Sequence, residues 1–384
     1  MPNPDSAQAN VMEPRVIELV ATQDALDSVV DLVRATPMVA VDTEFVRETT
    51  YYAKLCLIQI ATDKLVACVD CLAPLDLAPL YAEIFRDGCT WILHSARQDL
   101  EVIWQRTERM PPQLIDTQIA AALTGLTPQI GLESLLLKTL QVELGESHAR
   151  TDWSRRPLPA AALKYALDDV RFLLPAWRHL QEQLGALGRL PWLEEDSRRL
   201  LGERPVADDV TIWSRLRGAR TLTLAQQSAA LALVRWREST AQRLDRPRRW
   251  ILADEALVGI AQALPASLDE LHATLTVAAR FAAKHGAEIL AAIAESGSEQ
   301  LRSIVREHSL QQAPDKQRLK ELQEIVRRRA GELKLEPEIL ATRRDLAALA
   351  VGSPPGHLRQ GWRATELAGL LGSPAPSIQS EKSR

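Results

Sequence analysis

Two carboxylates stand two residues apart in MVAVDTEFV, residues 38–46. Met38 to Val41 read as a buried β-strand, which then runs into Asp42 and Glu44. In a strand, residues i and i+2 share a face, so the two charges point the same way and repel. Two other segments offer acids that can join them. Asp99, in WILHSARQDLEVI, falls in the first turn of a helix that follows a strand end. The helix dipole by itself also favours an acid there. In LKYALDDVRFLLPAW, residues 163–177, apolar positions 163, 166, 167, 170, 173, 174 and 177 form one helical stripe. At about 100° per residue, Asp168 lies roughly 160° from the stripe centre and should face solvent, while Asp169 lies roughly 100° away, at the stripe's edge. Tyr165 precedes Asp169 by one turn, so their side chains are neighbours. An amphipathic helix with a capping tyrosine has the same pattern.

Crowded carboxylates repel unless hard cations neutralise them, and Mg²⁺ or Mn²⁺ does this with oxygen ligands while keeping some water. Two such ions about 4 Å apart clamp an in-line displacement at phosphorus. One lowers the pKa of the attacking water, the other stabilises the leaving oxygen, and a tyrosine hydroxyl can orient that water. These residue types therefore point to metal-dependent phosphoryl transfer.

Positioning them takes an α/β domain. Strands are predicted at 15–20, 38–45, 55–62, 64–70 and 90–95, with a hairpin at Asp63 and Lys64. Helices are predicted at 22–35, with Thr22 as N-cap, and at 77–86 and 96–106. PPQLIDTQIAAAL leads into helices that continue to about residue 140, and one long helix spans 159–184. The hairpin makes the sheet mixed. After residue 205 no strand is apparent. Helical spacing recurs at 223–243, 253–264, 267–273, 276–294, 297–307 and 316–334, punctuated by prolines.

At this point a family resemblance emerges. VAVDTEFVRETTYYAKLCLIQIA, ILHSARQDLEVI and YALDDVRFLLPAW resemble, in order, the three exonuclease motifs of the ribonuclease D family, in the tyrosine branch of the DEDD 3′–5′ exonucleases. IDTQIAAAL (115–123) and ARTDWSRRPL (149–158) are similar to signatures between its second and third motifs. Residues 217–271 resemble an HRDC domain, the helical module shared with RecQ helicases, and the later helices a second, more divergent copy. The resemblance implies an RNase H-like exonuclease domain at 15–205, an HRDC domain at 209–295 and a second HRDC-like domain at 296–372; the polar stretches 1–14 and 373–384 read as disordered tails. It implies Asp42, Glu44, Asp99 and Asp169 as ligands to two divalent ions, Asp42 touching both. Tyr165 would position the attacking water. The family's Y-x-x-x-D spacing selects Asp169 over Asp168, as the stripe does. The expected activity is hydrolysis of RNA from the 3′ end to nucleoside 5′-monophosphates, with tRNA precursors as substrates and a monomeric enzyme. Phe45 is placed to pack on the terminal nucleotide, or else belongs to the core.

Composition agrees with this division. Residues 1–203 hold 19 Lys and Arg against 29 Asp and Glu, a net of −10; residues 204–384 hold 27 against 21, a net of +6. An acidic half suits metal and a basic half suits a polyanion. Arginine clusters at 215–220, 235–237, 243–249 and 327–329 offer phosphate contacts, with Arg248, Arg249 and Trp250 as the chosen RNA-contact residues. Cys68 and Cys71 form a CxxC, but no second pair completes a zinc site and LVACVDC reads as a strand. Buried thiols, no secretory signal and no apolar run of about 20 residues fit a cytoplasmic protein. A DNA exonuclease using the same motifs is the alternative enzyme. A non-catalytic RNA-binding scaffold is the alternative of another class, and the presence of all four acids and the tyrosine argues against it.

Overall fold

The computed structural model describes residues 14–34, 36–274, 279–309 and 315–368, so nearly all of the expected tails lie outside the described residues. Two units divide the chain: Met1–Val46 with Lys54–Glu203, and Arg47–Ala53 with Arg204–Arg384.

The first unit runs β1 (Arg15–Val20), α1 (Gln23–Val33), β2 (Met38–Val46), β3 (Lys54–Ala61), β4 (Leu65–Asp70), α2 (Ala78–Ile84), β5 (Thr90–Leu93), α3 (Arg97–Thr107), β6 (Gln113–Asp116), α4 (Thr117–Thr124), α5 (Leu132–Leu140), α6 (Ala160–Arg171), α7 (Leu173–Ala186) and α8 (Leu190–Gly202). Its six strands form one sheet in the order β1-β4-β3-β2-β5-β6. Neighbours β2, β3 and β4 are antiparallel, as the predicted hairpin requires, while β1, β5 and β6 add in parallel. Val39, Ala40 and Val41 are fully buried, which is why the middle of β2 reads as a continuous apolar run. α6 lies against β1, β2, β3 and β4, and so carries the third acidic motif to the sheet.

Two elements depart from expectation. Residues 113–116 are a strand, paired in parallel with β5, where the sequence reading has the chain entering helices. Four residues at a sheet edge are too few to show an alternation. The expected helix 159–184 is two helices broken at Phe172. Pro175 is the reason: its ring would clash with the carbonyl of Arg171, but is tolerated in the first turn of a new helix. Thr22 does stand at the N-cap of α1, though its side chain makes no capping bond.

The second unit is helical: α9 (Asp209–Ser214), α10 (Leu224–Leu244), α11 (Arg248–Ile251), α12 (Asp254–Ala263), α13 (Leu268–Thr274), α14 (Ala279–Glu295), α15 (Glu299–Ser309), α16 (Lys316–Leu333) and four short helices within 337–367. α10 opens with a reciprocal cap between Thr223 and Gln226. Its stretch Ala229–Val234 is buried on all sides because α9, α12, α14 and α15 surround it. Leu257, Ile260, Leu271, Ile289, Leu301 and Val305 complete that core.

Candidate active site

β2 outruns its parallel neighbour. β5 pairs with it only from Met38 to Ala40, so the edge of β2 is open where Asp42, Thr43 and Glu44 follow. Asp99 fills that edge from the first turn of α3: its Oδ1 accepts from Thr43 N at 3.1 Å and Thr43 Oγ1 at 2.5 Å. On the other side, the pairing with β3 shifts register between Glu44 and Phe45, a bulge at the end of the acidic pair. Asp42 and Glu44 share a strand face, as their spacing predicts, and α6 presents Asp169 to it. One carboxylate oxygen from each of Asp42, Glu44 and Asp169 lies within 4.8 Å of the others. The four acids come from residues 42 to 169, on three different elements.

The electrostatics follow from this crowding. Burial, then the charges of Asp99, Asp169 and Glu44, hold the Asp42 carboxyl well above its usual range. Burial and the charges of Asp169 and Asp99 push Glu44 up to about 9. Burial raises Asp169 to about 7 and Asp99 to about 6, partly offset by a hydrogen bond from Tyr165 to the former and from Thr43 to the latter. Four acids that resist ionising together are costly unless a cation joins them.

Other residues fix these groups in place. Tyr165 donates to Asp169, and burial and the nearby carboxylates raise its phenol well above the ordinary value. The Tyr165 ring stacks on Trp153 at 6.4 Å and meets His148 edge-on at 6.1 Å. The 148–156 segment is tied down by Arg156, whose guanidinium grips Asp70 through Nε at 2.7 Å and Nη2 at 2.5 Å. Asp116 accepts from the backbone N–H groups of Ser95, Ala96 and Gln118 at 3.0, 2.9 and 2.8 Å. It thereby sets the turn that starts α3 and caps α4. Asp168 does not face solvent as the stripe geometry predicts. It is 6% exposed and pairs with Lys164 at 2.5 Å and Arg171 at 3.6 Å.

Comparison with known proteins agrees with this geometry. Residues 17–185 match the 3′–5′ exonuclease family, and residues 226–293 match the HRDC domain. Ribonuclease D of Gluconacetobacter diazotrophicus is 36% identical over 355 residues, 90% of each chain. Ribonuclease D of Granulibacter bethesdensis is 34% identical over 352 residues, 90% of this chain and 89% of the relative. The chain belongs to the ribonuclease D family. The crystal structure of Escherichia coli RNase D, described as an exoribonuclease involved in structured RNA processing, superposes with a TM-score of 0.79 at 29% identity, covering 92% of this chain and 96% of that one. As a member of this family, the protein is a hydrolase, a 3′–5′ exoribonuclease, with a mixed-sheet exonuclease fold followed by a helical HRDC-containing region.

The site suits a divalent metal. Its converging donors are all carboxylate oxygens, the set a hard cation prefers. Gln59 adds a second sign. It pairs with Asp42 across the β2–β3 ladder, is fully buried, and neither polar atom of its amide has a hydrogen-bond partner. Such an amide is available to a ligand carboxylate or a metal-bound water, the role of groups that orient metal ligands. Asp42, Glu44 and Asp169 would hold the metal, with Asp99 beside them.

The chosen RNA-contact residues are differently placed. Phe45 is half-buried just past the bulge. Arg248 pairs with Glu238 at 3.2 Å and Arg249 with Glu255 at 3.5 Å, whereas Trp250 is 59% exposed. Arg237, counted in the basic clusters, is fully buried against Asp254 and Leu252 O and serves the core. Sequence reasoning assigned no role to Gln59, Asp70, Asp116, Trp153 or Arg156. The signatures containing Asp116, Trp153 and Arg156 were visible, but their role depends on contacts with distant segments. Among the described residues no helix is long and apolar enough to cross a membrane.

Proposed function

We propose that this exoribonuclease trims tRNA precursors from the 3′ end, releasing nucleoside 5′-monophosphates with two bound Mg²⁺ or Mn²⁺ ions. The observation that carries the reading is the convergence of Asp42, Glu44 and Asp169 within 4.8 Å. Together with Asp99 they would hold the ions, which when bound would supply an activated water and stabilise the leaving oxygen. Tyr165 orients that water. A phenol whose proton is held this tightly is no base at neutral pH, but its hydroxyl donates to Asp169 and keeps lone pairs that accept from the water and aim it. Phe45 packs on the terminal nucleotide. The basic half, with Arg248, Arg249 and Trp250, holds the RNA through phosphate and base contacts. Residues 15–205 form the catalytic domain, 209–295 the HRDC domain and 296–372 a second HRDC-like domain. All four acids and the tyrosine come from one chain, which supports a monomeric enzyme. Four free, largely buried thiols support a cytoplasmic one.

The test uses a tRNA precursor with an unpaired 3′ tail and a DNA strand of the same sequence, each with Mg²⁺ or EDTA. The expected result is mononucleotide release from the RNA alone, abolished by EDTA. Asp42→Asn should lower it about a thousandfold, matching the several kcal/mol that metal stabilisation contributes. Wild-type degradation by Asp42→Asn would overturn the site, and preferential degradation of DNA would overturn the substrate.

A further inference from the structure

From Leu55 to Ala61, β3 is apolar except at Gln59. Asp42 stands opposite Gln59 on β2, and Cys68 stands opposite it on β4. Directly opposed residues of antiparallel strands share a face, with Cβ atoms about 4.5–5.5 Å apart. Asp42, Gln59 and Cys68 therefore form one row across three strands. α6 lies against all three, and its Asp169 meets Asp42 and Glu44, so the row is on the face that α6 covers. The Cys68 thiol agrees with this placement: burial, then the charges of Asp42, Glu44 and Asp169, raise it. Along the same face the row is flanked by the pair Ala40 and Ala61 on one side and by Glu44 and Leu57 on the other. The strong hydrogen-bonding groups that the strands bring beside Gln59 are thus the acids themselves.

Gln59 is fully buried, and among the described residues no other buried side chain leaves two polar atoms without a hydrogen-bond partner. Burying an unpaired amide costs free energy that an apolar side chain of similar size would not. The cost is recovered when an ionised acceptor stands beside the amide. We propose that Gln59 is a positioning residue for the metal site: its side-chain NH₂ donates to the Asp42 carboxylate when a divalent ion is bound, and so fixes the orientation in which that carboxylate binds the ion. This rests on the metal-dependent reading of the site and deepens it, by naming the group that orients one of its ligands. It also sets stability against metal affinity at a single position. The amide that steadies the loaded site is left unpaired in the metal-free protein, which is less stable for carrying it.

The full-length protein is titrated with Mn²⁺, the free ion being read by electron paramagnetic resonance, and is melted separately in EDTA. Gln59→Met keeps the length of the side chain and removes both polar atoms. It should weaken Mn²⁺ binding about 10- to 100-fold, the range for loss of a group that orients a metal ligand. It should also raise the melting temperature in EDTA by about 2 °C or more, because an unpaired buried amide is gone. The Mn²⁺ concentration that gives half-maximal turnover should rise by the same factor as the dissociation constant, while RNA binding in EDTA is unchanged. Gln59→Leu, with a different shape, should shift both quantities in the same directions. A Gln59→Met protein that binds Mn²⁺ as tightly as wild type would overturn the proposal. So would one that melts lower in EDTA or does not fold, since the amide would then be serving the metal-free structure. A wild-type protein that binds no Mn²⁺ would instead overturn the metal reading on which the proposal rests.

Discussion

Glu44 illustrates what happens to a strand carboxylate on which other acids converge. Next to Asp42 and facing Asp169, it gains a proton on folding that it would not hold as a free side chain. A carboxyl raised from 4.5 to about 9 contributes stability that is fully present below the lower value and lost as pH rises through the upper one. Asp169, raised to about 7, and Asp99, raised to about 6, act in the same direction over the lower part of that window. In EDTA the melting temperature should therefore fall between about pH 5 and pH 9. Mg²⁺ or Mn²⁺ should restore it, and more so at the alkaline end. Glu44→Gln should flatten the EDTA profile; a wild-type profile already flat would refute the account. Tyr165 makes a different prediction, because its proposed role is to orient water rather than to bind charge. Tyr165→Phe should lower kcat by about 10²-fold or more while RNA binding in EDTA stays near wild type, checked by turnover and equilibrium titration. Asp168 shows the limit of residue-by-residue reading. Periodicity placed it in solvent, whereas the fold buries it in ion pairs with Lys164 and Arg171.

Strands and helices here act as delivery devices. β2 carries two acids past the end of β5, α3 brings Asp99 to the edge thus opened, and α6 brings Asp169 and Tyr165 across the sheet. Two of these deliveries depend on a tie from elsewhere in the chain: Asp116 for the turn before α3, and Arg156 on Asp70 for the segment that carries Trp153 and His148 to the tyrosine ring. Arg156→Ala should cost about 1.5–3 kcal/mol, the range for hydrogen bonds to a charged group, measured by urea unfolding. It should also lower kcat through a less ordered Tyr165. Full activity with the expected loss of stability would make the clasp structural only. The strands β1 to β5 were legible because apolar, β-rich runs are local signals. β6 was not, because four edge residues carry too little pattern. The break at Phe172 was readable in principle from Pro175, but the continuous apolar stripe concealed it.

For the molecule as a whole, the −10 and +6 halves match the two tasks proposed for the chain, metal binding and RNA holding. RNA affinity in EDTA should fall linearly with salt on logarithmic axes, with a slope near −0.7 for each phosphate neutralised on a single strand. A salt-independent affinity would exclude the basic half from binding. Charge counting alone overstates the available cations, since Arg237 is in the core and Arg329 is paired with both Glu332 and Glu366.

The sequence by itself offered the candidates. Asp42 and Glu44 share a face through a strand's two-residue period and Tyr165 neighbours Asp169 by one helical turn, both properties of the backbone alone, and the resemblance to the ribonuclease D motifs joins Asp99 to them. Tertiary structure decided which other residues serve them. Gln59 lies opposite Asp42 only once β2 and β3 pair, and Arg156 meets Asp70 across 86 positions. Contacts between distant segments have no signature in either segment. They arise where packing places a buried polar group beside the partner that satisfies it, and the composition of one stretch of chain does not contain the other.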